Sequence, residues 1–134
     1  MSEKTVHIGH RQINCVMTVD GQKDHDGKLF KVDAILDTGA MSVCINNEIC
    51  RQMGLRKIGM THVGGANGSA EVPVYVGEVG IDGLVGFKQY VEIIGLSTQT
   101  ALLGYSLFKH LDQIDIELAS DTVIFHYGDS HATH

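Results

Sequence analysis

Tryptophan is absent from this sequence, proline occurs once, and no stretch of uncharged apolar residues is long enough to cross a bilayer. The opening residues, Met1-Ser2-Glu3-Lys4-Thr5-Val6-His7-Ile8, hold no apolar run that could serve as a signal-peptide core. The expected location is therefore the cytoplasm, with no membrane partner. Positive charge is scarce too: 10 Lys and Arg face 16 Asp and Glu, for a net charge of -6, and no basic cluster interrupts the chain. Affinity for a nucleic-acid backbone comes mainly from clustered Lys and Arg, so neither DNA nor RNA is an expected partner. Cysteine is limited to Cys15, Cys44 and Cys50, an odd number without metal-ligand spacing. They read as reduced thiols in a reducing compartment, with Cys44 and Cys50 packing as small hydrophobes.

What is plentiful is glycine, at 16 residues, a level that suits short strands joined by tight turns. The length fits one domain, taken as 1–134 with loose ends at 1–5 and 128–134, and suffices for a modest core without metal or disulfide support. No repeat or linker-like segment divides it. Stretch 13–19 reads as a strand, 20–28 as an exposed turn, and 29–36 as the return strand of a hairpin that becomes wholly apolar just before Asp37. Residues 43–45 fit a buried strand, and Asn46 or Asn47 can cap a short helix over 48–53 that stops at Gly54. A hairpin with a glycine-rich tip is expected over 61–76, with Asn67-Gly68 as its turn. Further strands are expected at 76–81 and 85–94, a short helix at 105–111, and a closing hairpin from 114–118 and 122–126. Strands clearly outnumber helices, and the expected fold class is all-β, as a closed or orthogonally packed barrel with one or two short helices.

An Asp placed directly after Ala34-Ile35-Leu36 needs a reason, because burying an ionised carboxylate without partners is costly. Thr38 supplies a hydroxyl, and Gly39 lets the backbone turn its N–H toward a carboxylate. Taken alone, Asp37-Thr38-Gly39 also reads as a simple turn in which Asp37 bonds the backbone that follows it. The wider pattern carries more. Ile35-Leu36-Asp37-Thr38-Gly39-Ala40 resembles the active-site signature of the retropepsin-like aspartic proteases, and Leu102-Leu103-Gly104 resembles that family's second hydrophobic-hydrophobic-glycine element. A glycine-rich hairpin lies between the two and a short helix follows the second, so four features stand in the family's order.

The resemblance implies a retropepsin-like acid protease fold with a flap hairpin. It also implies a homodimeric aspartic endopeptidase in which Asp37 and its copy activate a water against a peptide or protein substrate, with no metal and no cofactor. Asp37, Thr38 and Gly39 would be the catalytic group. Ala40 and Ser42, the hairpin tip Gly64, Gly65, Ala66, Asn67 and Gly68, and the pair Leu103 and Gly104 would contact substrate. Chain segments 5–10 or 123–127 would supply an intersubunit sheet. The alternative is a catalytically inactive module of the same fold that binds peptides or other proteins. Three departures stand out: Tyr105 and Ser106 replace the Arg, Met or Leu and the polar Asp or Asn frequent after the glycine. Met41-Ser42 replaces the acidic residue of viral members, and the leader before Asp37 is longer than theirs, as in a cellular or prokaryotic member.

Other candidates have blander readings. His7 with His10, or His131 with His134, lack Cys or carboxylate companions and read as surface histidines rather than metal ligands. Tyr75, Phe87 and Tyr90 read as packing residues. Asp112 and Asp115 read as the solvent face of a strand, without chemistry.

Overall fold

A computed structural model describes residues 2–9, 12–21, 29–65 and 68–128. Ten strands and two short helices follow in the order β1 (Ser2–Gly9), β2 (Gln12–Asp20), β3 (Leu29–Leu36), β4 (Val43–Asn46), α1 (Asn47–Gln52), β5 (Arg56–Gly65), β6 (Gly68–Ile81), β7 (Lys88–Leu96), β8 (Ala101–Leu103), α2 (Tyr105–Phe108), β9 (Gln113–Glu117) and β10 (Thr122–Tyr127). The protein is all-β. No helix among the described residues is long and apolar enough to cross a membrane.

The strands hydrogen-bond in the order β5-β6-β7-β4-β8-β3-β2-β1-β10-β9, and β6 pairs a second time, with β2. That extra pairing, Met17–Val19 against Val79–Ile81, joins the two ends of the run from β2 to β6 and closes six strands into a barrel. β6 can serve three partners because it is 14 residues long: it meets β5 over its first half, β7 over its second and β2 at its end. Gly80 permits the crossing, since a Cβ there would strike the Phe87 carbonyl. Apolar side chains from every wall fill the interior. Met17, Val19, Val43, Ile45, Val79, Ile93, Leu103 and Leu107 have no solvent exposure, and burying each such side chain is worth about 1.5–3 kcal/mol before entropy is counted.

Outside the barrel, β1, β10 and β9 form a terminal antiparallel sheet whose inner face carries Val6, Val123 and Phe125. Ser2–Gly9 is thus a strand along its whole length, although Ser2 to Thr5 had been expected to be loose. Polar and apolar residues alternate weakly there, and its eight residues gain their order from pairing with β10. β10 is bonded on both sides over Thr122–His126, so within 123–127 only Tyr127 is without a partner strand on one side among the described residues. β1 meets β10 over Ser2–His7 and β2 only at Ile8 and Gly9, which leaves its other edge open before Ile8.

Three further expectations shift. The return arm of the hairpin expected over 61–76 and the strand expected at 76–81 are one continuous strand from Gly68, because Gly77 and Gly80 sit inside it as sites of close packing rather than as breaks. The last pair of the β5–β6 hairpin is Gly65 with Gly68, so Gly68 opens β6 with φ +104 and is not a turn residue; Ala66 and Asn67 lie outside the described residues. α2 ends at Phe108 rather than 111. His10, His131 and His134 are also outside the described residues, and no group of three or more His, Cys, Asp or Glu able to hold a metal occurs within them.

Candidate active site

Two strands that run side by side in the same direction create the site. β3 and β8 pair in parallel, Ala34 with Ala101, Ile35 with Leu102 and Leu36 with Leu103, so the apolar runs before Asp37 and before Gly104 end together. Beyond their ends the Asp37 N–H donates to the Leu103 carbonyl at 3.1 Å, and the turn folds back so that the Ala40 N–H donates to the Asp37 carbonyl at 3.1 Å. The start of α2 then grips the turn: the N–H groups of Tyr105 and Ser106 donate to the carbonyls of Ala40 and Met41 at 2.9 and 2.8 Å. Gly104 makes this approach possible. It is buried, and a Cβ on it would collide with the Ser42 backbone.

Within that frame, Asp37 is half-buried while Thr38 and Gly39 are exposed. The Gly39 N–H donates to Asp37 Oδ1 at 2.9 Å, which fixes the carboxylate against its own turn. A Cβ at Gly39 would sit 3.3 Å from the same oxygen, tighter than ordinary contact. Neither Asp37 Oδ2 nor the Thr38 hydroxyl has a hydrogen-bond partner among the described residues. The Cys44 thiol lies close enough to register Asp37: burial first, and the Asp37 charge second, push its pKa up. Burial alone drives Cys15 up to about 11 and, with a small opposing backbone contribution, Cys50 to about 12. Cys15 and Cys50 are buried packing thiols, and Cys44 is half-buried.

Of two hollows in this part of the structure, the first is lined by the turn and the second, lined by residues of the strand before it, is not. One, of about 550 Å³, lies between Gly39, Ala40 and Ser42 on the turn and Thr61, Val63 and Gly64 on β5. Its floor is Cys44, Ile94 and Leu96, an apolar surface. The second, of about 640 Å³, opens on the side of the strand that precedes Asp37, between the free edge of β1 at Val6 and His7 and the face formed by Asn14, Val16, Ile35 and Thr100. Reading the sequence did not find this second hollow, because it depends on β1 leaving β2 after two paired residues, a non-local event without a local signal.

Of the residues expected to contact substrate, Ala40, Ser42 and Gly64 line the first hollow. Leu103 does not reach either: it is fully buried, and what it offers is its carbonyl beneath Asp37. Strand alternation explains this, since Leu102 is the half-exposed member of the pair. Gly104 likewise acts as a packing position. At the departures from the family pattern, Tyr105 stands exposed and meets Phe108 edge-on with centroids 5.3 Å apart. Ser106 buries its Oγ without a hydrogen-bond partner among the described residues.

Comparison with known proteins agrees with this geometry. The family model described as gag-polyprotein putative aspartyl protease matches residues 24–110. No curated protein matches significantly. Among solved structures, that of a retropepsin-like aspartic protease from Rickettsia conorii superposes with a TM-score of 0.65 at 19% identity, over 93% of this chain and 90% of that one. The protease of Simian Foamy Virus (mac) superposes with a TM-score of 0.50 at 19% identity, over 72% of this chain and 91% of its own. At such identities the structures speak for a shared fold, and the family model, spanning well over half of the residues, speaks for descent: the chain belongs to the retropepsin-like aspartic proteases of the gag-polyprotein type.

Proposed function

We propose that the protein is a homodimeric aspartic endopeptidase whose catalytic pair is Asp37 and its copy from a second, identical chain. The observation that carries this reading is the state of the Asp37 turn: it is braced from below by Leu103, Ala40 and α2, yet among the described residues the half-buried Asp37 Oδ2 and the exposed Thr38 hydroxyl have no hydrogen-bond partner. A carboxylate needed only to close a turn gains nothing from having an unpartnered oxygen half-buried. A two-fold axis beside this turn supplies what is missing, because it sets one Asp37 against the other and one Thr38 hydroxyl against the opposite turn.

Two carboxylates so close cannot both ionise, and they share a proton. The ionised member takes a proton from a bound water as that water attacks the scissile carbonyl; the protonated member donates a hydrogen bond to the carbonyl oxygen as it becomes negative. Return of a proton to the leaving nitrogen releases an amine and an acid, without a covalent acyl-enzyme. The substrate lies extended as an added strand, with main-chain bonds giving affinity and the hollow between the turn and β5 receiving side chains. Gly64, Gly65 and Gly68, with Ala66 and Asn67, act as the flap tip that closes over it and excludes water. Retropepsin-like proteases of this size are typically dimeric, which suits a chain with one Asp-Thr-Gly.

The test is cleavage of a peptide library by the purified chain between acid and neutral pH. Pepstatin-sensitive cleavage with a bell-shaped pH profile is expected, and Asp37→Asn should reduce it by about a thousandfold or more while leaving the far-ultraviolet spectrum unchanged. Peptide binding without cleavage across that range would reject the enzyme and favour a binding module.

A further inference from the structure

Away from the Asp37 turn, a hollow of about 510 Å³ lies between α1 and the root of the β5–β6 hairpin. Asn47 and Arg51 reach it from one face of α1, being four residues apart. Lys57 and Met60 reach it from β5, and Tyr75 and Pro73, their cross-strand partners, reach it from β6. Lys57 and Met60 are three residues apart, a spacing that sets side chains on opposite faces of a regular strand. The register shift between Lys57 and Gly59 inserts Ile58 as an extra residue and brings both to the face that carries Tyr75 and Pro73. The bulge thus builds the hollow. Gly95 of β7 steadies it from behind, since a Cβ there would come within 3.0 to 3.1 Å of the Tyr75 ring, Asn47 Oδ1 and Pro73.

The polar side chains of this hollow offer donors. The Tyr75 hydroxyl donates to Asn47 Oδ1 at 2.6 Å, which occupies that acceptor and leaves the Asn47 Nδ2 group without a partner among the described residues. Lys57 has no ion-pair partner among the described residues. Arg51 meets Glu48 at 3.4 Å, but both side chains are largely exposed, and such a pair holds the guanidinium weakly. Met60, Pro73 and the Tyr75 ring form an apolar wall beside these donors. No carboxylate lines the hollow among the described residues: Glu48 lies on α1 outside it, and Glu71 stands two cross-strand pairs nearer the hairpin tip, opposite His62.

We infer that this hollow binds a small organic acid, its carboxylate held by Arg51, Lys57 and Asn47 and its apolar body laid on Met60, Pro73 and Tyr75, and that the bound acid fastens the hairpin root to α1. Two cations and a free amide call for an acceptor that carries negative charge, and the volume suits a small molecule. The position supplies the fastening. Toward the tip, β6 makes its last pair with β7 at Val74 and Ile94, so from Pro73 onward the hairpin arms pair only with each other. A carboxylate shared by Arg51 and Lys57 therefore spans the point at which the hairpin leaves the barrel. Asp37 takes no part, and the site stands whether or not the chain is a protease.

Phenylacetate is the probe and neutral phenylacetamide the control, each titrated into the isotope-labelled full chain at low salt and followed by amide NMR. Phenylacetate should give saturable shifts at Asn47, Arg51, Lys57 and Tyr75 with half-saturation at about 1 mM, and phenylacetamide should bind about tenfold more weakly. Arg51→Gln and Lys57→Gln, both at exposed positions, should each weaken phenylacetate by about five- to tenfold and leave phenylacetamide unchanged. At saturation, amide exchange over 60–64 should slow by about threefold while that of β3 stays constant. No saturable shift, shifts centred instead on Ala40 and Ser42, equal affinity for the neutral amide, or unchanged affinity in both variants overturns the site. Unaltered exchange over 60–64 with the site filled overturns the fastening.

Discussion

Ser106 shows how a single atom departs from the pattern around it. Its Oγ is buried and has no hydrogen-bond partner among the described residues, whereas its N–H donates to the Met41 carbonyl. A buried hydroxyl without a hydrogen bond costs stability, so Ser106→Ala should raise the unfolding free energy by about 1 kcal/mol in urea titrations. A fall of that size would mean the hydroxyl has a partner after all. Single residues also mark the limits of what the sequence disclosed. Asp37 was legible because an acid after three apolar residues conflicts with burial, and conflict is a signal. Asp115 was not. It reads as an ordinary polar position on an alternating strand, and its bond to His126 arises from a diagonal relation between strands that the pattern of either strand alone leaves open.

Gly104 belongs to the scale of elements, since it sets the distance between α2 and the turn of residues 37–42. A methyl group there meets Ser42 backbone, which cannot yield as a flexible side chain would. Gly104→Ala should therefore destabilise the fold by about 3 kcal/mol and lower activity further than the fraction unfolded accounts for, as seen by comparing turnover with circular dichroism at one temperature. Elements whose evidence is local were readable: β3 spans Leu29–Leu36 as expected, β9 and β10 form the closing hairpin, and Asn46 caps α1 by accepting from the N–H groups of Glu48 and Ile49. Those that depend on distant partners were not. β1 has too many polar residues to announce a strand, and β6 contains glycines that ordinarily mark breaks but here admit Leu55 and Phe87.

For the whole molecule, the proposed dyad makes activity a property of pairs. Specific activity should decline on dilution, and mixing wild type with an equal amount of Asp37→Asn should, after exchange, leave about a quarter of the dimers fully wild type and reduce the rate in proportion. A rate that drops only by half would point to independent subunits. The all-β class and the barrel were foreseeable from the excess of strands, but the closure through β2 and β6 was not, because no local feature ties Met17–Val19 to Val79–Ile81.

The hydrogen bond from Asp37 to Leu103 spans most of the chain between the two parallel strands. During synthesis the acid therefore leaves the ribosome long before its support exists. A half-made polypeptide carries the reactive tripeptide on an unbraced loop, and only when β8 and the glycine after it emerge does that loop acquire its shape. Hydrolytic power, on the proposed reading, is thus withheld from nascent chains, and the translating cell is spared an enzyme that works before it is finished.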